Sequence, residues 1–571
     1  MKRFLSYVRG WRGIALITYM WLVLMAWVIM YVDISSPLIK KRMYVVSVAE
    51  IMLFISVIIC PRLLKWAEGL SIHPDFDALS VREKRNFFLR TWLYVFLAFF
   101  AVYIIFYPGG FNPDNFSQYS QAIGMSRYND HHPVFHTLFL LTFPLKLTGG
   151  WFGSINLFQI IIFSFSLSYM AYTLYEYGSY IFAKRFLLFM MLNPVNLFMS
   201  VNPTKDTMFA VASMLMMTFA VRIHFTNGEW LKSIRNTVFF VLVMTAGTLF
   251  RHNAILFTLP LLFAVSLYVS KKKALAVLMC FAGLFWAVRY PLYDSLNVQR
   301  PSHNRQIEAC GLCMTIIGNA VKEAPERLDS EILEFAYSHA PKEIWENYFD
   351  VFFGWDDIKF ITYKFPEDDI KMISKVNNQV IERTGWKKIL MMTLRCFKEA
   401  PYEALRGFLG ITAVNYGILG SMTNPITPFI SNHAGLPFEL PKNNSFSLDF
   451  LTDFMRKIVP ENVLSLKAVR SKASLQSLIV ILAIVITLLF KHIFWHVGVI
   501  NLAVIVFILA KLKFNRAYDW KRLCLVLPLL IHNFGTMLLL AGPIFRVFYV
   551  SHLVFPLIIL VLLREKCEAK S

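Results

Sequence analysis

The feature that most restricts this chain is a series of about a dozen runs, each of roughly 17 or more nearly uncharged residues, recurring along 571 positions. A run of that length crosses the hydrocarbon core of a bilayer as a helix, and only helices or closed barrels satisfy their own backbone there. Charged residues make up 16% of the chain and hydrophobic ones 57%, whereas soluble domains are about 25% charged. These proportions predict an all-α polytopic membrane protein of about 13 transmembrane helices (12 to 14), with an extracytoplasmic, mainly helical domain.

The formal net charge of +21 does not mark a nucleic-acid binder. Across 294–472, the one long polar region, 21 Lys/Arg stand against 22 Asp/Glu, so the surplus lies in the termini and short loops. Cytoplasmic loops beside an anionic leaflet produce that pattern. The expected partner is the lipid bilayer, and no nucleic acid. Seven scattered cysteines, Cys60, Cys280, Cys310, Cys313, Cys396, Cys524 and Cys567, give no disulfide framework. The Cys310–Cys313 pair lacks the second pair that a zinc site needs.

Four regions follow from the spacing of the apolar runs. Residues 1–90 carry two spans (14–32 and 44–61) and a basic cytoplasmic loop, 91–290 form a membrane module, 291–475 an extracytoplasmic domain, and 476–571 the last helices. Within the module, 91–107 leads outward. Segment 134–148 is short, holds Pro144 and Lys146, and reads as an interfacial helix. Spans at 155–177, 186–200, 206–224, 237–250, 254–270 and 274–290 then alternate, which brings 107–136, 202–206 and 251–253 to one extracytoplasmic face. Helices at 476–490, 494–510, 522–541 and 547–563 would leave Lys511, Lys513, Arg516, Lys521 and Arg522 outside. Either one span is miscounted or 405–422 dips into the membrane.

The polar stretch 107–136 between two apolar runs has the composition of a reaction floor. Asp114 and Asp130 flank it, and Asp206 arrives at the same level at the start of a helix. Carboxylates at a membrane boundary deprotonate hydroxyls or hold a divalent cation, so Asp114, Asp130 and Asp206 are the catalytic candidates, and Asp114 and Asp206 the candidates for Mg or Mn. Asn112-Pro113-Asp114-Asn115 is also good turn chemistry, and Asp206 also suits a helix cap. His131, His132 and His136 lack the spacing of a metal triad, which favours hydrogen bonding to substrate or backbone. Tyr107, Phe111, Tyr119 and Tyr128 offer flat faces for a sugar or lipid head group. Lys205, Arg251 and Arg289 form a separate cationic set at span ends, suited to clamping a phosphate.

Asp114-Asn115 followed by Tyr128-Asn129-Asp130-His131-His132-Pro133 resembles the first-loop pattern of protein O-mannosyltransferases and their relatives, an acidic pair followed by Asp-x-His-Pro-Pro. Asn115 stands at the second acid and Val134 at the second proline. The ordered set P-G-G, Asp114, Gln118, His132-Pro133, N-P-x-K-D and R-H-N is similar to an uncharacterised bacterial group of GT-C-like membrane proteins. That resemblance implies a GT-C fold over 91–290 and a sugar taken from a polyprenyl-linked donor on the extracytoplasmic face. Asp114 would be the base or metal-binding carboxylate, Asp130 and His132 would shape the loop, and Lys205-Asp206 would face the donor. Asn115, Gln118, His131, His132, Lys205, Arg251 and His252 are the substrate-binding candidates.

The expectation is an inverting GT-C glycosyltransferase of the plasma membrane that moves a sugar from a polyprenyl-phosphate donor to a cell-envelope glycan or polymer. Two other classes stay open. One is a polysaccharide polymerase or ligase that uses a polyprenyl-diphosphate donor and arginines. The other is a lipid or solute transporter, which would carry its polar residues near mid-span and show an internal repeat.

Overall fold

The structure is a computed structural model that describes residues 11–32, 75–110, 113–300, 309–351, 354–355, 358, 376–416, 473–489, 497–514, 520–539, 542 and 544–564. The expected span at 44–61 and Phe111 lie outside these residues. The described chain is all-helical, 81% helix with no strand. Five helices are long and apolar enough to cross a membrane, or six when one bent pair counts as a single span, which is consistent with a membrane protein.

Helix α1 (Trp11–Val32) is 22 residues long and apolar beyond Arg12. Helix α2 (Val81–Ile105) starts at a reciprocal cap: Glu83 N–H donates to Ser80 Oγ (3.3 Å) and Ser80 N–H to Glu83 Oε2 (2.8 Å). A polar helix α3 (Pro113–Ala122) follows. Helix α4 (Val134–Leu147) is too short to span. Its middle widens where Phe143 N–H donates to Leu138 O, five residues back, beside Pro144, which has no N–H to give.

Next comes α5 (Ser154–Tyr177), then a difference from the single span expected over 186–200. The chain forms α6 (Tyr180–Leu192) and α7 (Pro194–Ser200), bent by 66°. Pro194 holds Asn193 in an extended conformation, and the Asn193 side chain caps α7 by accepting from Val195 N–H at 3.0 Å.

Helix α8 (Lys205–Phe225) is the axis of the molecule. It packs against α5, against α9 (Ile234–Phe250) and against the last helix, α21 (Val550–Leu563). Nearly every residue from Asp206 to His224 is buried, as befits a helix apolar on all sides. Helix α10 (Ile255–Ser266) and the little-buried, apolar α11 (Lys271–Ser295) complete this half.

Beyond it, α12 (Gly311–Glu323), α13 (Ser330–His339), α14 (Lys342–Tyr348), α15 (Gln379–Thr384), α16 (Trp386–Glu399) and α17 (Pro401–Thr412) make a helical unit. Here α12 and α17 cross so closely that a Cβ on Gly407 would lie 2.9 Å from Ile316 Cα. The end of α17 enters the bundle formed by α19 (Val497–Phe514) and α20 (Leu527–Met537), with α18 (Ala473–Leu489) before them. Asn415 Nδ2 donates to Asn533 O (2.7 Å), Asn501 Nδ2 to Asn415 O (2.8 Å) and Asn533 Nδ2 to Asn501 Oδ1 (2.9 Å).

The helical unit holds one titratable group in a fixed state. Trp355 Nε1 donates to His339 Nε2 (3.1 Å), so the His339 proton sits on Nδ1, toward Asn377 O at 3.2 Å. Burial pushes His339 down to about 4, with the Asn377 carbonyl offsetting part of that. The unfolded chain titrates near 6.5 and binds the extra proton first, so stability is full above that pH and falls as pH drops toward 4. The loss is on the order of 3 kcal/mol. Thermal unfolding against pH should show this acid-side slope, and His339→Gln should flatten it.

Candidate active site

Two helix starts aim at one spot. Asp114 lies in the first turn of α3, just after Pro113, and Asp206 in the first turn of α8, where Thr204 Oγ1 accepts from Thr207 N–H at 3.2 Å. Acidic side chains suit the positive end of a helix, and proline suits its first position. The two starts are tied together: Asn115 Nδ2 donates to Pro203 O at 2.8 Å.

Three cations meet the two carboxylates. Lys205 Nζ lies 3.3 Å from Asp114 Oδ2 and 2.8 Å from His132 Nδ1. Arg251, directly after α9, pairs with Asp206 Oδ1 and donates from Nε to Asn253 Oδ1 at 2.9 Å. Arg546, in a short turn before α21, bridges both acids, with Nη2 at 3.3 Å from Asp114 Oδ2 and Nε at 3.2 Å from Asp206 Oδ2. Asn253 Nδ2 continues the network to Thr536 Oγ1 of α20 at 3.1 Å.

The electrostatics separate the members. Burial raises Asp114, but Lys205 and Arg546 outweigh it and hold the carboxyl well below the usual range. Burial and Lys205 push His132 down to about 3, with Asp114 pulling the other way, so His132 is neutral at physiological pH. Three cations against two carboxylates leave an excess of one positive charge. Asp114 keeps 30% of its side chain exposed, whereas Asp206 keeps 2%.

The expected separate phosphate clamp is therefore not separate. Lys205 and Arg251 are engaged by the catalytic candidates themselves, and Arg289 goes elsewhere. Its Nη1 lies 2.6 Å from Oδ2 of Asp130, which is only 1% exposed. Around Asp130 the loop is clipped to the end of α11: Asp130 N–H donates to Gln299 O (2.9 Å), Gln299 N–H to Tyr128 O (2.8 Å), and Phe135 N–H to Tyr293 Oη (2.9 Å). His252 Nε2 lies 3.2 Å from Asp130 O. The structure makes Asp130 a tether of the loop and leaves the solvent-facing role to Asp114.

Three further candidates differ from their expected places. Asn115 and Gln118 are buried, and the Gln118 amide lies 3.0 Å from His136 Nδ1 and 3.1 Å from Thr137 Oγ1, joining α3 to α4. Tyr119 is buried edge-on against Phe152 and presents no free face. These side chains hold the loop because its backbone crosses a packed interior where amides need partners. His131 stands exposed beside His132, ring centroids 4.7 Å apart, and its N–H donates to Asn129 Oδ1 at 2.8 Å.

A divalent cation does not fit. Among the described residues no three His, Cys, Asp or Glu side chains converge as metal ligands, and Asp114 and Asp206 are surrounded by three cations that would repel one. Arg546 and Thr536 are members of the site that the sequence motifs do not contain. Arg546 carried a usable signal, as the only Lys, Arg, Asp or Glu between Arg522 and Arg564.

Residues 123–334 match a family of unknown function (DUF6020). The matched segment includes Asp130, His132, Lys205, Asp206, Arg251 and Arg289 and stops short of Asp114 and Arg546. No curated protein and no solved structure matches the chain.

The tether reading of Asp130 has a direct check. Arg289→Met strands a buried carboxylate and should cost about 3 kcal/mol in reversible unfolding, while Arg289→Met combined with Asp130→Leu should recover most of it. If each single change is as mild as the double, the pair is not a tether.

Proposed function

We propose that this chain is an integral-membrane glycosyltransferase of GT-C type, with about 13 spans, that moves a sugar from a polyprenyl-phosphate donor to a cell-envelope glycan or polymer on the extracytoplasmic face of the plasma membrane. The observation that carries this reading is the cluster of Lys205, Arg251 and Arg546 around Asp114 and Asp206, one positive charge in excess, at the end of a buried helix. An anionic lipid head group is what such a site attracts, and an apolar chain attached to it would lie among the helices.

In this reading Asp114 takes the proton of the acceptor hydroxyl. The acceptor oxygen forms its bond to the anomeric carbon as the bond from that carbon to the phosphate oxygen breaks, with inversion. The electron pair stays on the lipid phosphate, whose charge Lys205, Arg251 and Arg546 offset. Low basicity is the obvious objection to Asp114. It is answered by the bound phosphate, whose negative charge offsets Lys205 and Arg546 and so lifts the carboxyl. Neutral His132 keeps Lys205 in place through its Nδ1.

The pair Arg251 and Arg546 also favours a second reading, a polysaccharide polymerase or ligase that takes a polyprenyl-diphosphate donor and relies on arginines. Transfer assays on the purified chain with polyprenyl-phosphate sugars separate the two. Asp114→Asn should lower turnover by about 10²- to 10⁴-fold, the usual worth of a positioned base, in protein that still folds although it has lost a paired carboxylate. Full activity in that variant, with loss confined to Arg251→Met and Arg546→Met, would replace the base mechanism by the arginine one.

A further inference from the structure

Helix α16 has two apolar sides, and among the described residues only one is packed against other helices. Ile389, Met392, Thr393 and Cys396 are buried against the helical unit. Next to them, Trp386 (50% exposed), Leu390 and Leu394 (53% exposed) form a second apolar stripe that the described residues leave open. The two edges of the helix differ in kind. At the inner edge, Lys388 reaches Glu331 Oε1 (2.7 Å), and Arg395 reaches Asp329 Oδ2 and Glu331 Oε2 (2.6 Å each). At the outer edge, beside the open stripe, Lys387 and Lys398 are exposed and form no ion pair among the described residues. An apolar stripe headed by tryptophan and bordered by free lysines is the pattern of a helix lying in a membrane interface, its lysines reaching to anionic head groups.

The position of α16 agrees. It turns at Ala400 directly into α17, whose first turn is fastened to the last turn of α1: Tyr31 Oη donates to Tyr402 O (2.9 Å), and Arg406 Nε donates to Tyr31 O (3.0 Å). At about 1.5 Å per residue α1 is about 33 Å long, enough to cross a hydrocarbon core, and a crossing α1 would put Tyr31 at a membrane boundary. The other end of α17 enters the bundle at Asn415 beside Asn533 of α20, the helix whose Thr536 touches the site network. Through α17, helix α16 is thus joined both to the end of α1 and to α20, the helix that also touches the site network.

We propose that α16 rests in the bilayer interface on the side of the candidate site, with Trp386, Leu390 and Leu394 among the lipids and Lys387 and Lys398 on anionic head groups, fixing the helical unit at the membrane surface. This holds whatever reaction the site performs. The test uses the full chain in nanodiscs of phosphatidylethanolamine and phosphatidylglycerol, with the photo-crosslinking residue p-benzoylphenylalanine replacing Leu394, Leu390 or, as a control, Lys388. Intact mass after illumination should show a phospholipid adduct at Leu394 or Leu390 and only background at Lys388. A peptide adduct, within the chain or to a second copy, would mean that protein covers the stripe. Absence of any adduct in well-folded variants at both leucines would mean that it faces water. Either result overturns the proposal.

Discussion

A carboxylate at the end of an apolar helix bundle has to find a cation, and the sharing of Arg546 between Asp114 and Asp206 is how this chain meets that demand. Asp206 begins the most buried helix, Asp114 begins the polar helix after the first long span, and Arg546 precedes the last helix. One guanidinium therefore joins elements separated by more than 300 residues of sequence. Lys205 and Arg251 extend the pairing on either side, so the N-terminal loop, the axial helix and the C-terminal helix are held in register by charge at one point. The apolar packing below shields Asp206 and Arg251 most, which keeps the attraction between those two strongest.

Around that point the polar groups divide by task. Asn115, Gln118 and His136 are buried and join loop to helix, Asp130 and Arg289 fasten the loop to α11, and in the shared set Asp114 and Arg546 keep about a third of their side chains in contact with solvent. Buried charge pairs are weak evidence for stability but good evidence for register, because a displaced partner leaves an isolated charge. The loop is therefore held from three directions before any ligand arrives.

Much of this was legible in the sequence, for physical reasons. Apolar runs of membrane-spanning length located most of the helices, since a bilayer tolerates few alternatives. Charge parity brought 114, 205–206 and 251 to one level. The bend at Asn193-Pro194 was also written in the chain, yet an apolar run of sufficient length hides a proline break. Arg546 was harder. Its partners lie hundreds of residues away, and whether it reached the same face depended on a C-terminal span count that charge alone left ambiguous. The division between tether and solvent-facing carboxylate had no sequence signal at all, because Asp114 and Asp130 differ only in which cation the fold delivers to each.

The axial helix is also pinned at its far end. Sixteen residues beyond Asp206, about 24 Å along the axis, Arg222 pairs with Glu176 at 2.5 Å and lies over the rings of Tyr169, Tyr172 and Tyr177. A rod fastened by ion pairs at both tips cannot slide like a piston without breaking two of them at once. Motion within this bundle is left to its rim, where α11 stands with most of its surface uncovered by the described residues.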